Sequence, residues 1–169
     1  PPLTSATGTR WRRGITRDGH GGEVYLPTLL PVHEDGTVIA PGDAAAQYEH
    51  CLRRALELLA AAGLGPANVV WTLRHTTEAT RRAASIDDIH TRLLGPVLPA
   101  GATITLSALH EPGVLVALDV VASRHVPVAI ETNWAPFAGQ ARSTAVLAGD
   151  LLYVSGLTAA DIAASSAVI

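Results

Sequence analysis

Sulfur-containing residues are scarce in this sequence, which has no methionine and a single cysteine. With Cys51 as its one thiol, the chain cannot form an intramolecular disulfide, and a disulfide-stabilised secreted fold is excluded. Apolar residues flank Cys51 at helical spacing, which favours a buried thiol over a catalytic one. Because the polar N-terminal segment also lacks the apolar core of a signal peptide, we expect a cytoplasmic protein.

Long apolar runs and a strong excess of one charge are also missing. No run approaches the roughly 18 to 20 apolar residues of a membrane span, so we expect no membrane partner. A net charge of -3 gives no general attraction to nucleic acid or anionic lipid. The 169 residues are 48% hydrophobic, enough for one globular core and slightly more.

Residues 23–125 carry a succession of helical and alternating patterns. The longest helical pattern begins after the N-cap candidate Asp43 and ends at Gly63, and a second covers 77–95. Strands are predicted around these helices, at 23–26, 68–76, 102–109 and 114–122, with a hairpin-type turn at 33–38. This order predicts an α+β fold in which a mixed sheet packs on two helices.

The last part of the chain repeats the first. Residues 126–141 contain two prolines and no helical period, and we interpret them as a linker. The stretch GDLLYV (149–154) then resembles GGEVYL (21–26), and 128 positions separate the two tyrosines, Tyr25 and Tyr153. We therefore predict three parts: a complete domain, the linker, and the first β element of a second domain, at 10–125, 126–141 and 142–169.

Two segments resemble the Rid (YjgF) family. ARSTAVLAGDLLYVSG (141–156) is similar to the family's opening strand, which ends in Ser-Gly. The segment 42–77 is similar to its first helix, which follows a Gly-Asp, carries an Ala-Gln pair and runs into a Val-rich strand. VLVALDVVAS (114–123) is similar to its final strand, so the resemblance covers 10–125 and resumes at 138–160.

The resemblance implies a fold, an assembly and a chemistry. It implies the chorismate-mutase-like Rid fold, a sheet on two helices assembled as a barrel-like trimer or pseudo-trimer with pockets between neighbouring units. It also implies a deaminase-like hydrolase, which needs no cofactor and processes small reactive imines or enamines with release of ammonia.

The first copy departs from the family's pocket. The arginine of the family's Pro-Ala-Arg-Ser segment, which holds a substrate carboxylate, is replaced by Gly101-Ala102. The family's acid on the last strand falls on Ala117, so Asp119 is a candidate only if the strand register slips by two residues. At the position of the family's strand-end Ser-Gly pair, the first copy has a hydroxyl group only in Thr28. The first copy therefore resembles a degenerate pocket.

The second copy keeps more of the family's residues. Ser155 and Gly156 form the Ser-Gly pair, and Arg142 stands where the family has a tyrosine. The predicted catalytic residues are Ser155 and Arg142, and the predicted ligand-binding residues are Gly156, Thr28 and Asp119. The alternative is a non-catalytic ligand-binding or scaffolding subunit.

Two other kinds of site have weaker support. The seven histidines show no metal-binding spacing, and we expect no metal. RWRR (10–13) could contact RNA, but a solvated basic arm or an intersubunit salt bridge explains it better, so nucleic acid is disfavoured.

The second copy is only a β element, and a lone hairpin with an apolar face is marginally stable. We therefore expect a second polypeptide, cut from a tandem precursor after Ile169, to carry the rest of the second domain. A swapped tail within a homotrimer is the alternative.

Overall fold

The computed structural model describes residues 3–4, 10–11, 22–80, 84–96, 98–109, 111–131, 141–156, 160–161 and 166–167. Its two α-helices are α1 (Ala44–Ala61) and α2 (Ala84–Leu94). Its strands are β1 (Leu3–Thr4), β2 (Arg10–Trp11), β3 (Glu23–Tyr25), β4 (Val69–Thr77), β5 (Ala100–Leu106), β6 (Val116–Ser123), β7 (Val128–Ile130), β8 (Ala145–Ala148), β9 (Leu151–Val154), β10 (Ala160–Asp161) and β11 (Ser166–Ala167).

A four-stranded mixed sheet in the order β3-β6-β4-β5 forms the centre of the fold. β4 and β5 are parallel, whereas β6 is antiparallel to both β3 and β4. Both helices lie against one face of this sheet. The predicted α+β architecture, a mixed sheet on two helices, is therefore confirmed.

The first helix begins and ends as its sequence predicts. The Asp43 side chain accepts a hydrogen bond from the Ala46 backbone N–H at 3.0 Å, which caps the first turn. Gly63 follows the last turn with φ of +75°, a left-handed conformation that glycine adopts without strain. The apolar stripe between them includes Leu52 and Leu59, both fully buried, and each contributes about 1.5–3 kcal/mol of burial free energy.

Alternation along β6 assigns its side chains to the two faces of the sheet. Leu118, Val120 and Ala122 belong to the core beneath the helices, whereas Val121 belongs to a second core on the opposite face. Asp119, which alternates with Leu118 and Val120, therefore lies on the face opposite the helices.

A separate three-stranded antiparallel sheet, β7-β8-β9, covers part of that opposite face. Val146 and Ala148 of β8 pack there against Val70, Ala100 and Val121 of the main sheet, and Tyr153 and Trp71 flank them. The β element of the second copy thus closes a core made by the first copy.

Two predicted elements differ from the structure, and one predicted turn agrees with it. The predicted linker contains β7, which pairs with β8, so residues 128–130 are part of a sheet. The second helix begins at Ala84 and not at 77, because β4 continues to Thr77 and a short 3-10 turn follows over Glu78–Thr80. The hairpin-type turn at 33–38 forms as a turn, closed by a single bridge between Val32 and Val38.

Candidate functional site

The second copy joins the first at the free edge of β5. The Gly101 backbone N–H donates to the Ser155 hydroxyl oxygen at 2.9 Å, and the Gly156 N–H donates to the Gly101 carbonyl oxygen at 3.0 Å. The Ser155 hydroxyl in turn donates to the Ser143 carbonyl oxygen at 2.6 Å. Three hydrogen bonds therefore fix the end of β9 beside Gly101.

The surroundings of Ser155 differ from those of a catalytic nucleophile. Ser155 is 1% exposed, and its hydroxyl uses both its proton and a lone pair within the joint. A nucleophilic serine needs an adjacent general base, and the two groups bonded to this hydroxyl are a backbone amide and a backbone carbonyl. These contacts favour a positioning role for Ser155, and its catalytic role stays a prediction.

The backbone at Gly101 leaves no room for a side chain. A Cβ atom at this position would lie 2.6 Å from the Thr72 carbonyl oxygen and 2.8 Å from its hydroxyl oxygen. An arginine at position 101 is incompatible with this close approach of β5 and β4. The packing of β5 against β4 therefore excludes the family's arginine at this position. An arginine could be accommodated there only if the backbone moved.

A different arginine reaches the same position. Arg142 donates from Nη1 to the Gly101 carbonyl oxygen at 3.2 Å. Burial and the nearby Arg74 lower the pKa of Arg142, and Asp87 opposes them. A guanidinium remains charged under such conditions. The second copy therefore supplies a partly buried cation beside the segment in which the first copy has lost one.

A polar cluster lies near Arg142 on the helix-facing side of the sheet. Arg74 donates from Nη1 to Asp87 Oδ1 at 2.7 Å, and its guanidinium carbon lies 5.8 Å from the centre of the Tyr48 ring. The Tyr48 hydroxyl is hydrogen-bonded to Nδ1 of His90. Burial, reinforced by Arg74, lowers the pKa of His90 to about 3, so this imidazole stays neutral near pH 7.

Asp119 lies on the open face of the sheet and has a partner that sequence analysis missed. Its Oδ2 atom is 2.8 Å from Nε2 of His75, and the two side chains are 26% and 22% exposed. Asp119 pairs with Leu73, which pairs with Ala102 of β5. Asp119 and His75 therefore share a sheet face with Ala102, on the half that β8 and β9 leave uncovered.

Gly156 borders this uncovered half. A Cβ atom on Gly156 would lie 3.1 Å from the Ala102 Cβ, so the end of β9 rests directly on the row of residues that leads to Asp119. Sequence analysis could not find His75, because its pairing with Asp119 depends on the register of β4 against β6 over 44 positions. The sequence gives one indication of this position: alternation along the strand places His75 on the sheet face opposite that of Arg74.

Thr28 is not brought to this site. Leu26 and Leu29 donate to the carbonyl oxygens of Val120 and Leu118, so the segment around Thr28 follows the outer side of β6. Since β6 and β5 are separated by β4, exposed Thr28 and Gly101 lie toward opposite edges of the sheet. Of the five predicted site residues, Ser155, Gly156 and Arg142 converge, Asp119 lies nearby, and Thr28 is remote.

The described residues give little support to a metal site or a reactive cysteine. Within them, no three histidine, cysteine or acidic side chains are grouped as a metal site would require. Cys51 is buried, and burial raises its pKa to about 12, which opposes thiolate formation. The basic residues Arg12 and Arg13 lie outside the described residues. No helix in the described part of the chain is both long and apolar enough to cross a membrane.

Known proteins share this architecture. The model of the Endoribonuclease L-PSP family matches residues 6–124. A Rid family protein of unknown function from Yersinia pestis, YyfA, is 25% identical with a TM-score of 0.58, over 67% of this chain and 86% of that chain. A YjgF family member from Mycobacterium tuberculosis is 24% identical with a TM-score of 0.55, over 72% and 97%.

A third solved structure, Escherichia coli TdcF with bound serine, is 19% identical with a TM-score of 0.57, over 73% of this chain and 94% of that chain. No curated protein matches the chain. The family match covers well over half of the sequence and agrees with the sheet and helices described above. The chain therefore belongs to the Endoribonuclease L-PSP family, which is also known as the YjgF or Rid family.

Proposed function

We propose that the protein hydrolyses a small imine or enamine that carries a carboxylate, at the joint between β5 and the end of β9. One observation carries this proposal: the His75–Asp119 pair lies on the same sheet face as Ala102, against which Gly156 rests. The proton-transfer pair on β4 and β6 and the cationic group of Arg142, which contacts the Gly101 carbonyl oxygen of β5, are the groups that this proposal combines.

Arg142 is the proposed anchor for the carboxylate. Guanidinium binds carboxylate through two parallel N–H donors, which gives orientation as well as attraction. Its partial burial strengthens that attraction relative to an exposed arginine. The serine bound to Escherichia coli TdcF is a small amino acid, and it supports a ligand of this size and charge.

The His75–Asp119 pair is the proposed proton-transfer group. Asp119 is positioned to hold one ring nitrogen of His75 and leaves the other to exchange protons with water or substrate. Water adds to the C=N carbon, giving up one proton as the nitrogen gains one. The resulting carbinolamine then loses its hydroxyl proton and releases ammonia as the C–N bond breaks, so imine and water become carbonyl compound and ammonia.

We also propose how this site is assembled. The second copy's β element occupies the sheet face that a neighbouring Rid unit covers in the assembly implied by the resemblance. A barrel-like pseudo-trimer, in which units from another chain complete the pocket, is the corresponding quaternary structure. The division into a domain at 10–125, a linker region and the start of a second domain at 142–169 belongs to this proposal, as does a cytoplasmic location.

The test is the rate of ammonia release from an imino acid that an amino acid oxidase generates in situ. We expect acceleration over the uncatalysed reaction, with Arg142→Ala raising KM and Asp119→Asn lowering kcat. Arg54→Ala is the matched control, because Arg54 is exposed on α1 and pairs with Glu57 of the same helix. If the assembled protein gives no acceleration while calorimetry detects binding of the carboxylate product, the protein is a ligand-binding subunit without catalysis.

A further inference from the structure

Glu23 is a buried acidic residue on β3, at one edge of the main sheet. It is 8% exposed, and among the described residues none donates a hydrogen bond to its carboxylate or forms an ion pair with it. The neighbouring Arg124 reaches the other side of the sheet, where its Nη1 donates to the Ala62 carbonyl oxygen at the end of α1. A buried carboxylate is costly without a partner, so Glu23 favours a bound cation or donor.

The Tyr153 hydroxyl is a second polar group of this kind. Its oxygen is buried, and it has no hydrogen-bond partner in the part of the chain that the structure describes. Tyr153 packs against the second core, which includes Val121, and Val121 is the strand partner of Tyr25 on β3. Because buried hydroxyl groups are nearly always hydrogen-bonded, this one also indicates a missing partner.

Strand alternation brings Glu23 and Tyr153 to the same face. Val24 belongs to the core beneath the helices, so its neighbours Glu23 and Tyr25 face the opposite side, where β9 packs. Burial, reinforced by nearby acidic groups, raises the pKa of Tyr153 to about 12. Those groups are Glu23, Tyr25 and Asp150, so they lie close to the Tyr153 ring. We call Glu23, Tyr25 and Tyr153 the β3–β9 site.

We infer that the β3–β9 site binds the primary ammonium group of a small aliphatic amine. An ammonium group has three N–H donors, and the Glu23 carboxylate and the Tyr153 hydroxyl oxygen can accept two of them. Phenol rings also attract cations, and the exposed Asp150 adds negative charge nearby. Tyr25 is 55% exposed, so the site can be reached from solvent.

A metal ion fits these groups less well than an ammonium group. Ca²⁺ takes about 6 to 8 oxygen ligands, and Mg²⁺ requires a nearly ideal octahedron, whereas this site has one buried carboxylate and two phenols. Over the ranges that the structure describes, no three acidic, histidine or cysteine side chains are grouped to hold a metal ion. The donor set therefore favours a ligand that donates hydrogen bonds.

The β3–β9 site is separate from the groups of the proposed hydrolysis. Glu23 pairs with Ser123, which lies four positions beyond Asp119 on β6, or about 13 Å along the strand. β3 also lies at the opposite edge of the sheet from β5, whose Gly101 carbonyl oxygen Arg142 contacts. The inference therefore does not depend on the proposed chemistry.

The test is a titration of the full chain with methylammonium chloride at constant ionic strength, followed by the amide and tyrosine ring resonances. We expect saturable shifts at Tyr25 and Tyr153. Glu23→Gln should raise the Kd about tenfold or more, because it removes a charge-assisted hydrogen bond, and Tyr153→Phe should raise it by a smaller factor. Glu34→Gln is the matched control, since it removes the same charge from an exposed turn and should leave the Kd unchanged.

Two further measurements complete the test. Tetramethylammonium has the same charge without N–H donors, so its Kd should be about tenfold higher or more. Methylammonium should raise the melting temperature of the wild type and leave that of Glu23→Gln unchanged. Tighter binding of K⁺ or Mg²⁺ than of methylammonium at the same resonances would overturn the inference. Absence of any saturable shift would also overturn it, and water alone would then join the two groups.

Discussion

The Gly101 backbone N–H donates to the Ser155 hydroxyl at 2.9 Å, across 54 positions of sequence. Because that hydroxyl also donates to the Ser143 carbonyl, one buried oxygen links β5 to both ends of the β8-β9 hairpin. The Ser155 side chain therefore ties three segments of the chain together beside the candidate site.

We expect Ser155→Ala to lower the free energy of unfolding by about 1–3 kcal/mol, since it leaves a buried amide and a buried carbonyl without partners. Urea denaturation measures this change, and faster amide exchange at Gly101 locates it. Ser107→Ala is the control, because Ser107 is exposed. If Ser155→Ala instead abolishes ammonia release with full stability and unchanged exchange, a direct catalytic role for the hydroxyl is supported.

The strand packing at Gly101 gives a second prediction. A Cβ at this position meets the Thr72 backbone at 2.6 Å, so Gly101→Ala should destabilise the protein by about 1–3 kcal/mol or more. Gly65→Ala is the matched control. A Cβ at Gly65 has no neighbour within 4 Å, and the change should be neutral or stabilise by up to about 1 kcal/mol. Equal melting temperatures for the two variants would contradict the predicted crowding.

The third prediction concerns stability against pH. The pKa of His90 falls from 6.5 to about 3 on folding, so below pH 6.5 the unfolded chain binds a proton that the folded chain does not. The contribution of His90 to the free energy of unfolding is therefore fully present above pH 6.5, and it is lost as the pH falls toward 3. Between pH 6.5 and 5 the loss is about 2 kcal/mol.

Urea denaturation at a series of pH values measures this slope, and His90→Gln should remove its contribution. Where that variant does not fold, the imidazole resonances of the wild type provide the measurement. A His90 resonance that titrates near pH 6 in the folded protein would contradict the prediction.

Local patterns in the sequence correctly predict the elements that have clear end residues or clear alternation. Asp43 and Gly63 mark the two ends of α1, and alternation in β6 places Leu118 and Val121 on opposite faces. The predicted start of α2 is several residues too early. The polar stretch after Thr77 continues a helical pattern, but the hydrogen bond from Thr77 to Leu115 extends β4 instead. Tertiary pairing outweighs local periodicity there.

The candidate site is less predictable, because its contacts join distant segments. The resemblance identifies Arg142, Ser155 and Gly156, but their meeting with Gly101 depends on where the second copy packs. Thr28 does not join them in this chain, because its counterpart Ser155-Gly156 meets β5 whereas Thr28 follows β6. His75 has no motif of its own, and only the register of β4 against β6 pairs it with Asp119.

That pair gives the final prediction. If His75 transfers the proton and Asp119 holds its ring, His75→Gln and Asp119→Asn should each lower kcat by about 10²–10⁴, with KM little changed. Because the two residues act as one unit, the double variant should lose little more than either single variant.

The controls are His33→Gln and Asp88→Asn, both at exposed positions. A readout that does not need turnover is the nitrogen spectrum of His75. The hydrogen bond to Asp119 should hold the proton on Nε2 in the wild type, and Asp119→Asn should shift the tautomer balance. Losses in the two single variants that add fully in the double variant would show that the residues work independently, and the pair would then not be a catalytic unit.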